Sequence, residues 1–136
     1  MIGLLILPLV VHTLTLARFD IVAKPVFGFN PSPVTVEMLE GHSYNSAVSV
    51  SNVTANSPNL VWTAVPSANW ISLNNYSGTS STSSPKIIEV TVSTIGLSPG
   101  IHNGSVQFST SDGITGTLPV SVTVLPKPAQ LLVQRV

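Results

Sequence analysis

Gly96-Leu97-Ser98-Pro99-Gly100-Ile101-His102-Asn103-Gly104 runs into Ser105-Val106-Gln107-Phe108-Ser109-Thr110, then Ser111-Asp112-Gly113, and after Ile114-Thr115-Gly116 into Thr117-Leu118-Pro119-Val120-Ser121-Val122-Thr123-Val124. The Pro-Gly and Asn-Gly steps mark turns, since proline presets φ and glycine accepts positive φ. Apolar and polar residues then alternate strictly. Side chains of an extended strand point to opposite faces in turn, so Val106, Phe108, Val120, Val122 and Val124 are expected on one inward face. Asp112-Gly113 predicts a tight hairpin between the two runs. Pro119 cannot donate a ladder hydrogen bond, which predicts a sheet edge or a bulge there.

The same period of two recurs upstream. Val34, Val36 and Met38 share a face against Thr35 and Glu37; Val48 and Val50 alternate with Ser49 and Ser51. Leu60, Trp62 and Ala64 alternate with Val61 and Thr63, and a short run, Trp70-Ile71-Ser72-Leu73, follows. Asn74 to Pro85 reads as a polar loop. Ile88, Val90 and Val92 alternate with Glu89, Thr91 and Ser93. About seven short strands, with no helical period between Pro33 and Val124, predict an all-β fold: an immunoglobulin-like antiparallel β-sandwich with an apolar N-terminal extension.

Composition narrows the function classes. Charged residues make up 7% of 136, and Lys plus Arg number only 5. Phosphate backbones are bound by clustered cations, so no nucleic acid partner is expected. Cysteine is absent, which removes a disulfide framework, cysteine-ligated zinc and thiol nucleophiles together. The exposed surface is therefore built from Ser, Thr and Asn, a composition suited to an extracellular module.

Four segments follow. Residues 1–24 form an apolar N-terminal segment, 25–32 a linker with Pro25 and Pro31, 33–125 the sandwich, and 126–136 a C-terminal extension opened by Pro126-Lys127-Pro128. Met1 to Ala17 carries no charged side chain, and its apolar residues are Ile2, Leu4, Leu5, Ile6, Leu7, Leu9, Val10, Val11, Leu14 and Leu16 among others. Three readings stand side by side. One is a secretory signal peptide with Thr15-Leu16-Ala17 at its cleavage end. Another is a membrane or bundle-core helix, kinked at Pro8 and at the lower limit of the roughly 17–25 residues a span requires. The third is a strand donated to a neighbouring subunit. A membrane is a partner only on the second reading. Phe19-Asp20-Ile21-Val22-Ala23 reads as a short strand of its own.

Residues 31–125 resemble the BACON domain family, immunoglobulin-like modules common in Bacteroidetes surface proteins and found in some phages. The resemblance runs through Leu60-Val61-Trp62-Thr63, Asn69-Trp70-Ile71-Ser72-Leu73, Ser77-Gly78 and Val90-Thr91-Val92. It continues through Gly96-Leu97-Ser98-Pro99-Gly100, Gly104-Ser105-Val106, Gly113 and Val120-Ser121-Val122-Thr123-Val124. It implies an extracellular β-sandwich, a role in binding glycans or glycoproteins, and no shared catalytic residues.

Trp62 lies on the inward face with Leu60 and Ala64, so a core role is expected for it and for Trp70 in preference to stacking on sugars. Tyr44 and Tyr76, placed in polar loops, are the glycan-stacking candidates. His12, His42 and His102 lack metal-ligand spacing, so no metal and no cofactor are expected. Asp20, Glu37, Glu40, Glu89 and Asp112 form no evident carboxylate pair, and there is no Gly-x-Ser-x-Gly nucleophile turn; the chain reads as not an enzyme. Asn52-Val53-Thr54, Asn75-Tyr76-Ser77 and Asn103-Gly104-Ser105 are N-glycosylation sequons, all three expected to be accessible at strand ends or loops. The expected function is a non-enzymatic structural module of a surface filament, sheath or virion, self-associating through its apolar terminal segments. A secreted glycan-binding module is the alternative. Either places it outside the cell or on a cell or virion surface.

Overall fold

The computed structural model describes residues 21–129, apart from an isolated Gly3, and expectations for Met1–Ala17 and for residues 130–136 fall outside them. Nine strands follow in order: β1 (Phe27–Asn30), β2 (Val34–Leu39), β3 (Ser43–Asn52), β4 (Leu60–Pro66), β5 (Ile71–Leu73), β6 (Ser77–Ser80), β7 (Lys86–Ser93), β8 (Gly100–Thr110) and β9 (Thr115–Leu125). No helix occurs among the described residues. One sheet has the order β1-β3-β7-β5 and the other β2-β9-β8-β4-β6. Their inner faces pack together as a sandwich of the immunoglobulin type.

The alternation read from the sequence sets the core. Val48, Val50, Ile88, Val90 and Val92 face inward from one sheet. Leu60, Trp62, Ala64, Val106, Phe108, Leu118, Val120, Val122 and Val124 meet them from the other, all nearly excluded from solvent. Trp62 stands edge-on to Phe108, with ring centroids 5.1 Å apart. Its indole N–H donates to the buried Ser80 hydroxyl at 3.0 Å. In antibody domains the corresponding tryptophan packs on a disulfide; here an aromatic pair and a hydrogen bond occupy the centre.

Two strands lie where none was expected. β1 falls inside the expected 25–32 linker and pairs antiparallel with β3, from Phe27 opposite Asn52 to Asn30 opposite Ser49. β6 falls inside the expected Asn74–Pro85 loop and pairs with β4. The expected strand over Phe19–Ala23 is not seen in its described part, since Ile21–Ala23 belong to no strand.

The sandwich is also not wholly antiparallel. Between β1 and β2, Pro31 and Pro33 supply no N–H to a ladder, and the chain crosses from one sheet to the other. β2 then pairs parallel with β9, from Val34 opposite Val120 to Leu39 opposite Leu125. Pro119 sits just before this pairing begins. On its β8 side it faces Ser105, whose N–H and C=O both turn toward Ser67 (2.8 Å each). The missing donor of Pro119 therefore faces the flank that β2 has not yet reached, and the strand is an edge at that point.

Because β9 runs 11 residues from one end of the sandwich to the other, it fixes the poles. Phe27, at the start of β1, lies across Gly116 near the beginning of β9. The chain thus enters at one pole and leaves at the other, about 33 Å away at ~3.3 Å per residue.

Candidate functional site

Three surfaces can carry function, and the first holds none of the glycan-stacking residues expected from the sequence. The first is the outer face of the five-stranded sheet. Strand alternation turns Val61, Thr63 and Val65 of β4 outward, with Ser77 and Thr79 of β6, Gln107 and Ser109 of β8, and Thr117 and Ser121 of β9. Register aligns them in rows, Val61 beside Thr79, Thr63 beside Ser77 and Ser109, Val65 beside Gln107 and Thr117. The Thr117 hydroxyl donates to Oε1 of the Gln107 side chain at 2.9 Å. A groove of about 660 Å³ crosses this face, lined by Val61, Thr63, Ser77, Gly78, Thr79, Ser109, Thr110 and Ser111, with Trp62 beneath. It offers hydroxyl donors and acceptors around an exposed valine, and no formal charge. Such a surface hydrogen-bonds a neutral polyhydroxylated ligand and gives a phosphate or carboxylate nothing to pair with.

The groove exists because β6 is built from small residues. A Cβ on Gly78 would stand 2.7 Å from Cζ2 of Trp62, so the indole reaches β6 only because residue 78 has no side chain. No apolar alternation marks Ser77-Gly78-Thr79-Ser80. Its two inward positions are the glycine under the ring and the serine that takes the indole hydrogen bond, which is why the strand and the groove beside it escape a hydropathy reading.

The second surface is a lateral cleft between the two sheets, about 430 Å³, bordered by Thr35 to Leu39 of β2 and by His42, Ser43 and Tyr44. Tyr44 is not in a loop: it lies in β3, opposite Val92, and is half exposed because the inner face is uncovered there. Beside it Thr91 donates to the Asn45 side chain at 2.9 Å. His42 lies in the β2–β3 turn, its Nδ1 3.2 Å from the Glu40 carbonyl.

Tyr76 lies at the opposite lateral edge, between β5 and β6. Its hydroxyl accepts the Leu73 N–H at 3.2 Å and its carbonyl accepts the Ala64 N–H at 2.8 Å. These bonds pin the passage from one sheet to the other, so its phenol is folded back on the chain. Tyr44 and Tyr76 therefore do not converge on one stacking platform. Trp62 is buried as expected, and Trp70 is half-buried against the core, over Gly104, where an added Cβ would approach the indole to 3.0 Å.

The three sequons are not equivalent. Asn103 is exposed on β8 and Asn75 is half-buried. Asn52 was expected to be accessible; it is 3% exposed. Its Oδ1 accepts the N–H groups of Val26 (3.3 Å) and Thr54 (3.0 Å). Its Nδ2 donates to Ser57 Oγ (2.8 Å) and the Pro58 carbonyl (2.9 Å). All four hydrogen-bonding positions of the amide are in use, tying the chain before β1 to the β3–β4 loop. Among the described residues, no three His, Asp or Glu side chains are grouped to hold a metal ion.

The fold has well-separated relatives among solved structures. It superposes on a Bacteroides ovatus GH5 xyloglucanase in complex with a XXXG heptasaccharide with a TM-score of 0.54 and 13% identity, over 76% of this chain and 20% of that one. The PapD-like domain 7 of human CEP192 gives 0.55 and 10% identity, over 75% of this chain and 87% of that one. The sialic acid binding region of a Streptococcus sanguinis SK1 adhesin, bound to 3'sLn, gives 0.51 and 14%, over 77% and 30%. This chain thus spans only a fraction of the xyloglucanase and of the adhesin region. At these identities the likeness is one of fold. No curated protein matches by sequence. A family model does match, over residues 29–125, which include all of β2 to β9 and the second half of β1: the chain belongs to the viral BACON domain family.

Proposed function

We propose that this protein is a non-enzymatic, extracellular structural module of a virion or cell-surface assembly, self-associating through its terminal segments. The observation that carries this reading is the placement of chain entry and exit at opposite poles, each leading into an apolar stretch of sequence. Modules so arranged join pole to pole. The apolar residues from Ile2 to Leu16 supply surface for a neighbour, and sheet edges left unpaired by the described residues supply ladders to extend. The viral family and the low charge support the same placement. Deleting residues 1–24 tests it. Light scattering is expected to show the full chain as a multimer and the deleted chain as a soluble monomer; an unchanged assembly state rejects the reading.

A second reading, glycan binding, is favoured by the uncharged groove on the five-stranded face and by the glycan complexes of two fold relatives. On this reading Thr63, Thr79 and Ser109 supply hydroxyl contacts, and Val61 faces the apolar side of a sugar ring. A glycan array with the wild type and with Thr63→Val/Thr79→Val is the measurement. Hits lost in the double variant support it, and an array without hits rejects it.

A further inference from the structure

The two poles of the sandwich differ in relief. At the exit pole β7 runs into the turn Thr94-Ile95-Gly96-Leu97, closed by the Leu97 N–H on the Thr94 carbonyl at 3.1 Å. Gly96 takes φ +79°, and Ile95 stands at the tip, 69% exposed. The residue before it is buried: the Thr94 N–H donates to the His42 carbonyl at 2.8 Å, and its hydroxyl donates to the Leu39 carbonyl at 2.7 Å. Ile95 is therefore an apolar knob on an anchored turn, and docking it costs little ordering. Glu40 and Lys127 flank it. The Gly41 N–H, next to Glu40, reaches the Thr94 carbonyl at 3.5 Å, and the Lys127 Cε lies 4.0 Å from where a Cβ on Gly41 would stand.

The entry pole is concave. A hollow of about 250 Å³ lies between the entering chain, the β3–β4 loop and the β8–β9 hairpin. Val22, Pro25, Pro58 and Ile114 give it an apolar lining, and its charged lining residues are Lys24 and Asp112. Ile114 packs against the core. The Asn52 amide holds the Val26 N–H and the Pro58 carbonyl together, so the two sides of the hollow are tied. Lys86, at the head of β7, adds a second cation to this pole. Each pole thus presents an apolar centre beside one carboxylate and one ammonium, raised at the exit and recessed at the entry.

We propose that Ile95 of one copy seats in the entry-pole hollow of the next, with Lys127 meeting Asp112 and Glu40 meeting Lys24. This rests on the pole-to-pole association read above and supplies its contact. The occupant is a second copy because knob, hollow and both pairs of opposite charges stand on one chain at its two ends. Two different surfaces meet, so the contact is heterologous and repeats along the strand direction as an open row. Five strands ~4.8 Å apart and two sheets ~10 Å apart give an end of roughly 500 Å² per copy. That falls short of the ~800 Å² a side of a standard interface. The pole contact therefore sets direction and spacing, and the terminal segments supply the remaining affinity.

The test uses the full chain, which contains no cysteine. Ile95→Cys and Pro58→Cys, both at exposed sites, are made singly and together and oxidised mildly. A mixture of the two single variants is expected to give a cross-linked dimer. The double variant is expected to give a ladder of dimer, trimer and higher species on a non-reducing gel, and each single variant alone stays uncross-linked. Lys127→Asp and Asp112→Lys are each expected to raise the concentration at half-assembly about fivefold. Combined in one chain they restore it, which a folding defect would not do. Multimers seen by light scattering without the cross-link between positions 95 and 58 overturn this contact and leave association through the terminal segments standing. A cross-link formed by either single variant with itself requires a twofold contact and also overturns it. A monomeric wild type removes both.

Discussion

The indole of Trp62 and the hydroxyl of Ser80 form a buried polar pair, 1% and 0% exposed, in a core otherwise made of hydrocarbon. Such a pair contributes modestly when made and costs more when half removed. Trp62→Phe strands the Ser80 hydroxyl and leaves a void, and is expected to lower unfolding free energy by about 2–4 kcal/mol in urea. Adding Ser80→Ala to it should recover roughly 1 kcal/mol, because the orphaned group is gone. No recovery would mean that the bond carries no weight. Asn52 presents the same logic with four bonds. Asn52→Ala is expected to cost about 2–4 kcal/mol. In a glycosylating host, mass spectrometry should find sugar on Asn103 and none on Asn52, whose amide is committed to the fold.

At the scale of elements, the turn between β2 and β3 is held by one buried side chain. The hydroxyl of Thr94 accepts the His42 N–H at 2.9 Å, and its proton is shared between the carbonyls of Leu39 (2.7 Å) and His42 (3.1 Å). Thr94→Val keeps the shape and removes every one of these contacts. A loss of about 1–3 kcal/mol is expected, with amide exchange accelerated first at His42 and Glu40 and the β8–β9 hairpin unaffected. Elements of this kind divide by how legible they were. The seven strands with alternating Val, Ile, Leu or Phe could be read directly, as could the Asp112-Gly113 hairpin, where Gly113 adopts φ +89°. β1 alternates Phe27 and Phe29 with Gly28 and Asn30, yet three nearby prolines made it look like a linker. β6 has no apolar residue because its inward positions serve Trp62 alone. The uncharged groove depends on which strands become neighbours, a property of topology that no local period encodes.

Across the whole molecule, five cations balance five anions in 136 residues. Charge contributes little to holding this sandwich, and salt has little to screen. The thermal midpoint is expected to move by no more than about 2 °C between 0.05 and 1 M sodium chloride; a larger shift would point to an ion pair that the described residues do not contain. The parallel pairing of β2 with β9 has a mechanical meaning. Tension drawn through the two ends of the chain pulls β2 back toward Val34 and β9 forward toward Leu125. The six residue pairs between them are then sheared together instead of being unzipped one by one. A module loaded in that direction resists in a single step, and in single-molecule stretching Val36→Pro, which interrupts that ladder, is expected to lower the rupture force while β4, β6 and β8 stay as they are.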